Sequence, residues 1–235
     1  NALGYTLNIS VLLGVLTVYF TWSAAAVLFA TSSEIPLLAA LLVALNPQFL
    51  FLSASVTNDS LVTCCAAIAI WQLLLMLRAN AAGEPLPTAS TLLRLGLILG
   101  AAALSKVSGL ALSGLAGLVL LLLAWQRRSV WELLRMSAWV ALSAAAVALW
   151  WYWRNWQLFG DPLALNVLTS VLPGRDVELS WQEIVSLMPG VWRSYWGVFG
   201  WFNILMAAWL YSFYSWLSLL ALVGLQGFGD APVWQ

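Results

Sequence analysis

Apolar residues run almost unbroken along this 235-residue chain, and the polar positions between them recur at about the spacing of a bilayer-crossing helix, some 20 residues. Seven spans can be drawn, at roughly 5–31, 36–56, 60–78, 92–105, 108–124, 131–153 and 201–223. Pro36 suits the first turn of the second span, and Asn58-Asp59-Ser60 offers capping chemistry to the third. The fourth span is only about 21 Å long as a helix and is expected to end short of the far membrane surface. The pattern therefore predicts an all-α, polytopic transmembrane helical bundle of about seven spans, with residues 1–235 forming one transmembrane domain.

Residues 154–200 are the one long stretch that does not span. Within it Ser180-Trp181-Gln182-Glu183 has the form of a capping box, followed by apolar positions from Ile184 to Trp196. Pro189 and Gly190 interrupt that pattern, which predicts a bent or broken helix over 178–196 lying in the membrane interface. A membrane-hugging loop and a lid over a substrate cavity are both open readings of it.

Composition adds exclusions. Apolar residues make up 63% of the chain and charged residues 8%, and the mean hydropathy is +0.93, which no water-soluble domain shows. The formal net charge is zero, so nucleic acid is not an expected partner. Cys64 and Cys65 are adjacent, point about 100° apart on a helix, and form neither a disulfide nor a metal pair. Histidine is absent, which rules out a Ser-His-Asp triad and histidine-ligated zinc or haem within these residues. The chain opens at Asn1, without methionine, and reads as a piece of a longer protein.

Lysine and arginine in short loops set orientation. With the loops after spans three and five in the cytoplasm, Arg78, Arg94, Arg127, Arg128 and Arg135 lie there. Asp59, Asp161, Asp176, Glu178 and Glu183 then fall on the outer face with Asn1. Three polar points converge on that face. Asn58-Asp59 ends the NPQFLFLSASVTND stretch, where a carboxylate is either a helix cap or a site residue. Lys106 sits in ALSKVSG, where it snorkels or meets an anion. Arg154 and Asn155 stand among the tryptophans of WWYWRNWQLFGDP, with Asp161 in the following Gly-Asp-Pro turn; there the guanidinium fork suits a phosphate or serves as an interfacial anchor.

The order of these motifs is informative. Pro47-Gln48-Phe49 through Asn58-Asp59, a glycine-rich span ending in SK-x-SG, then W-x-x-R-N-x-x-x-x-G-D-P and SYWGVFGWFN at 194–203 resembles the bacterial family 39 type of membrane glycosyltransferase, in the GT-C superfamily. The resemblance implies transfer of a sugar from a polyprenyl-phosphate carrier at the outer face of the bacterial plasma (inner) membrane. It implies Asp59 as a second, catalytic acidic position at the cavity that orients the acceptor or a metal, Lys106, Arg154 and Asn58 around the lipid-linked phosphate, and Asn155 and Asp161 as residues that shape the outer loop. In such enzymes the main catalytic acid lies in the first outer loop, which is expected to precede Asn1. No cofactor is evident and no metal ligand is assigned, with a divalent metal left open. The expected partners are the lipid-linked sugar, membrane lipids and other membrane subunits. A noncatalytic subunit of a larger membrane complex and a transporter of a lipid-linked or anionic solute are the competing readings.

Overall fold

In the computed structural model, which describes residues 2–171 and 180–226, nearly everything is helical. Asp176 and Glu178, together with Asn1, lie outside the described residues. The helices are α1 (Ala2–Leu28), α2 (Glu34–Ala44), α3 (Pro47–Ser53), α4 (Asp59–Ala81), α5 (Ala89–Ser105), α6 (Leu110–Gln126), α7 (Val130–Phe159), α8 (Leu165–Val171), α9 (Trp181–Trp196) and α10 (Ala208–Gln226). A single tight turn, Val107–Gly109, joins α5 to α6, and a small antiparallel hairpin of β1 (Val198–Phe199) and β2 (Ile204–Leu205) precedes α10.

Among the described residues four helical stretches are long and apolar enough to cross a membrane, Thr6–Leu28, Asp59–Ala81, Val107–Gln126 and Val130–Phe159, with Ala89–Ser105 and Ala208–Gly224 as shorter apolar helices, so the all-α membrane bundle is present and the count of about seven spans is not confirmed. A fifth follows if α2 and α3, bent by 64°, count as one. The bend has a local cause. Asn46 takes an extended backbone and accepts the amide of Phe49 on its side chain, while Pro47 opens α3 without an N–H to satisfy. The expected last span, 201–223, is shortened because its first residues turn through the hairpin, leaving a 19-residue helix from Ala208. Asn58 is also not the cap it resembles: its backbone is helical and its side chain makes no cap bond.

α5 and α7 form the most intimate pair and run in the same direction. Arg135 Nη2 donates to Pro87 O near their starts, and Tyr152 Oη donates to Ala103 O near their ends, at 3.3 and 2.7 Å. Between those ties α5 presents Gly96 and Gly100, one turn apart. A Cβ on Gly96 would stand 1.9 Å from Ser143 Oγ and 2.4 Å from Val140 O, and one on Gly100 would stand 2.8 Å from Ala144 O. Lipid tails are as apolar as leucine, so membrane helices gain their association from such close van der Waals contact rather than from hydrophobic burial. Around this seam Leu92, Leu95, Leu99, Leu123 and Met136 are fully buried between α4, α5, α6 and α7.

The bundle consequently has two polar ends. At one, Arg127 Nε donates to Asn80 Oδ1 at 2.9 Å and Arg127 Nη2 to Glu84 O at 2.5 Å, while Arg135 Nε pairs with Glu132 at 2.7 Å. The other end holds Asp59, Lys106 and the C-terminal turns of α7.

Candidate active site at the Lys106 end

Lys106 sits where α5 stops. Its backbone is extended (φ −158°, ψ 142°), so the chain leaves the helix before the Val107–Gly109 turn begins. Gly109 makes that break possible, because a Cβ there would lie 2.2 Å from Ala102 O, on the last turn of α5. The SK-x-SG motif is thus a tight helix-to-helix reversal that projects one lysine.

Across from it, α4 begins with Asp59. Lys106 Nζ donates to Asp59 Oδ1 at 2.5 Å, and Thr57 Oγ1 donates to Asp59 Oδ2 at 2.9 Å. Asn58 Nδ2 donates to Ser105 O at 2.8 Å, a second bridge between the same two chain segments. The side chains of Lys106 and Asp59 are 44% and 29% exposed. An ion pair this accessible contributes on the order of 0–1 kcal/mol to stability. Its placement therefore calls for an explanation other than holding the fold together.

Arg154 lies on α7 two residues beyond Tyr152, whose hydroxyl is tied to Ala103, so it occupies the same end of the α5–α7 pair as Lys106. Its guanidinium stands 5.2 Å from the centre of the Trp151 ring and, among the described residues, forms no salt bridge. The structure brings Asp59, Asn58 and Lys106 into contact and places Arg154 beside a tryptophan rather than in that cluster. Buried Asn155 donates its Nδ2 to Pro162 O at 3.2 Å. Asp161 Oδ1 accepts Leu163 N–H at 3.0 Å, and its Oδ2 accepts Leu165 and Asn166 N–H at 2.7 and 3.2 Å. The backbone amides of Asn166 and Leu163, with help from Leu165 and Ala164, hold the Asp161 carboxyl below its ordinary pKa.

Sequence reasoning passed over several members of this end. Asn46 Nδ2 donates to Tyr195 O at 3.3 Å, and Gln48 Oε1 accepts Val198 N–H at 2.9 Å. Phe51 meets Phe199 with ring centres 5.3 Å apart. The NPQF and SYWGVF motifs, some 150 residues apart, are thus one structural unit. Asn46-Pro47 was a readable signal, since asparagine before proline is a helix start. Thr57, two residues before Asp59, was a local signal as well, since a threonine there can bond the residue that opens the helix; Tyr152 carried none, because Ala103 lies at a position no local pattern relates to it.

α9 begins with the capping box at Ser180 and Glu183, both reciprocal bonds present. It stays helical through Pro189 rather than breaking there, because Val185, whose carbonyl loses its partner to the proline, lies on an exposed face. It is fixed to α10 by Trp196, whose ring stacks on Tyr214 with centres 4.1 Å apart, and by Trp192 Nε1, which donates to Ser215 Oγ at 3.0 Å. Among the described residues no three His, Cys, Asp or Glu side chains gather around a common point.

Apolar spans packed through small residues, with charged side chains gathered at the two ends of the bundle, define a polytopic helical membrane protein. The chain belongs to the dolichyl-phosphate-mannose-protein mannosyltransferase family, of GT-C type, whose model matches residues 5–153. Asn58, Asp59 and Lys106 fall inside the matched stretch, and Arg154 is the first residue beyond it. Comparison with curated proteins and with solved structures finds no match.

Proposed function

We propose that this protein transfers a sugar from a polyprenyl-phosphate-linked donor to an acceptor at the outer face of a bacterial plasma membrane. The observation that carries the reading is the accessible Lys106–Asp59 pair, bridged by Asn58 and lying within the family-matched residues. In the reaction an acceptor hydroxyl oxygen bonds to the anomeric carbon as the bond from that carbon to the phosphate oxygen breaks. The phosphate leaves with the electron pair and gains negative charge, and the hydroxyl proton passes to a base. In this reading Lys106, with Arg154 from the same end of the α5–α7 pair, stabilises the growing charge. Asp59 already accepts hydrogen bonds on both oxygens, from Lys106 and Thr57, which suits it to orienting the lysine toward the donor phosphate. Asn58, spent on Ser105 O, keeps the Lys106 turn in place beside the phosphate. Asn155 and Asp161 shape the segment that leaves α7, and α9 lies in the interface as a cover over this end.

The test is a donor comparison with the full-length protein in proteoliposomes. A synthetic polyprenyl-phosphate sugar is offered in one set and the corresponding nucleotide sugar in another, and released polyprenyl phosphate and transferred sugar are measured. Turnover of the lipid-linked donor alone is the expected result. Use of the nucleotide sugar overturns the proposal, and inertness toward both favours a noncatalytic subunit.

A further inference from the structure

At the opposite end of the bundle, away from Lys106, a cavity of about 430 Å³ opens between α4 and the chain that leads into α5. We propose that it binds a membrane phospholipid whose headgroup carries both a phosphate and a primary ammonium, of the phosphoethanolamine kind. The cavity is of ligand size and joins an apolar wall to a few polar groups, as binding sites do. Those groups are Gln72, Glu84, Thr88, Thr91 and Arg94, with Trp71 on the wall.

Two observations point to a zwitterion. First, Glu84 and Arg94 both line the cavity yet form no salt bridge with one another; the ion pairs among the described residues are Lys106–Asp59 and Arg135–Glu132. The Glu84 backbone is engaged, accepting Arg127 and donating to Ala79, while its carboxylate has no partner among the described residues. Second, Arg94 spends Nε on Ser90 O at 3.3 Å and Nη2 on Thr91 Oγ1 at 3.5 Å, long contacts that leave its remaining N–H groups for an anion.

Charge then selects the ligand class. A purely anionic headgroup answers Arg94 but is repelled by Glu84. A trimethylammonium headgroup balances the charge of Glu84 but has no N–H for its carboxylate. A primary ammonium carries three N–H donors and supplies both the charge and the hydrogen bonds. The phosphate falls to Arg94 and the threonine hydroxyls, and the acyl chains to the apolar wall and the surrounding lipid.

The experiment is native mass spectrometry of the detergent-purified full chain, titrated separately with phosphatidylethanolamine, phosphatidylglycerol and phosphatidylcholine of identical acyl chains. The expected result is a preference for phosphatidylethanolamine. Glu84→Gln and Arg94→Gln, both on exposed rim positions that leave the core untouched, each weaken that binding about fivefold. Glu84→Gln leaves phosphatidylglycerol binding undiminished. Equal binding of the three lipids, or phosphatidylethanolamine binding unchanged in both variants, overturns the proposal. Soluble glycerophosphoethanolamine binding as tightly as the lipid also overturns it, since the site is then one for a water-soluble zwitterion.

Discussion

Arg127 and Arg135 at one end of the bundle and Lys106 and Arg154 at the other use their charge in opposite ways. At the Arg127 end, guanidinium groups are spent inside the protein: Arg127 on Asn80 Oδ1 and Glu84 O, Arg135 on Glu132 and Pro87 O. The two Arg127 bonds and the Arg135–Pro87 bond stitch the end of α4 and the α4–α5 connection to the α6–α7 turn and the start of α7, the Arg135–Glu132 pair lies within α7, and Asn80 completes the seam by donating to Gln126. At the Lys106 end the same kinds of charge keep capacity in reserve. Lys106 holds one exposed carboxylate, and Arg154 meets a tryptophan face with no anion among the described residues. Fixed geometry against backbone carbonyls is how a cation braces a fold, whereas an accessible cation with unspent donors is how one meets a ligand.

The sharpest test of this contrast substitutes one cation at each end. Lys106→Ala is expected to lower transfer from a polyprenyl-phosphate sugar by about 10² to 10³-fold, the usual loss when one group that stabilises transition-state charge is removed. Arg127→Ala is expected to lower the thermal unfolding midpoint while leaving transfer per folded molecule within about twofold. Matched activity losses in the two variants would erase the distinction between the ends.

The seam that holds both ends in register gives the next largest effect. Gly96→Ala forces a methyl against Ser143 and the Val140 carbonyl, so a loss of about 1–3 kcal/mol in stability is expected, read as a lower unfolding midpoint in detergent. Gly114→Ala on α6, where a Cβ meets nothing within 4 Å, is the control and should be neutral or slightly stabilising. An unchanged midpoint for Gly96→Ala would show that the α5–α7 contact is looser than these distances require.

Arg154 decides whether the Lys106 end has one phosphate-binding cation or two. Arg154→Lys keeps the charge but loses the fork, so transfer should fall about tenfold, and Arg154→Ala should lose more. If Arg154 is only an interfacial anchor above Trp151, lysine should substitute freely. Near-normal turnover in Arg154→Lys would confine the phosphate site to the family-matched residues and leave Lys106 alone in it.

Much of this contrast was written in the periodicity and little of it in the charges. Helix positions followed from apolar run length: the third span was expected at 60–78 and α4 occupies Asp59–Ala81. The Ser180 capping box is likewise local chemistry and formed as expected. Where an apolar run turned out to be a hairpin, at 198–205, run length was the wrong guide, because short strands and helices share it. The positive φ of Gly200 (64°) and Phe202 (61°) reverses the chain there, leaving Trp201 94% exposed at the tip. Arg127 read only as a cytoplasmic loop charge, and Arg154 as a fork for a phosphate or an interfacial anchor. What separates them is whether a carbonyl from a distant segment is within reach, and that is a property of packing. The same limit applied to Asn58, which looked like a cap and instead reaches Ser105.

The smallest expected effect concerns Asp161, which holds the chain just beyond Arg154. Its carboxylate accepts the backbone amides of Asn166, Leu163 and Leu165, and these bonds depress its pKa in the folded protein. A depressed carboxyl contributes stability that is fully present above its unfolded pKa, about 3.9. That contribution is lost as pH falls through this value toward the lower folded pKa. Asp161→Asn keeps the shape of the side chain but discards the charge and one acceptor, so its unfolding midpoint should lie slightly below the wild type at neutral pH. The gap should be constant above about pH 5 and close as the pH is lowered past 4. Thermal unfolding of both proteins across that range, followed by tryptophan fluorescence, checks the sign. A gap that widens in acid would mean the neutral carboxyl is the form that shapes this turn. The segment beyond Arg154 would then owe its conformation to the Asn155–Pro162 bond and not to charge.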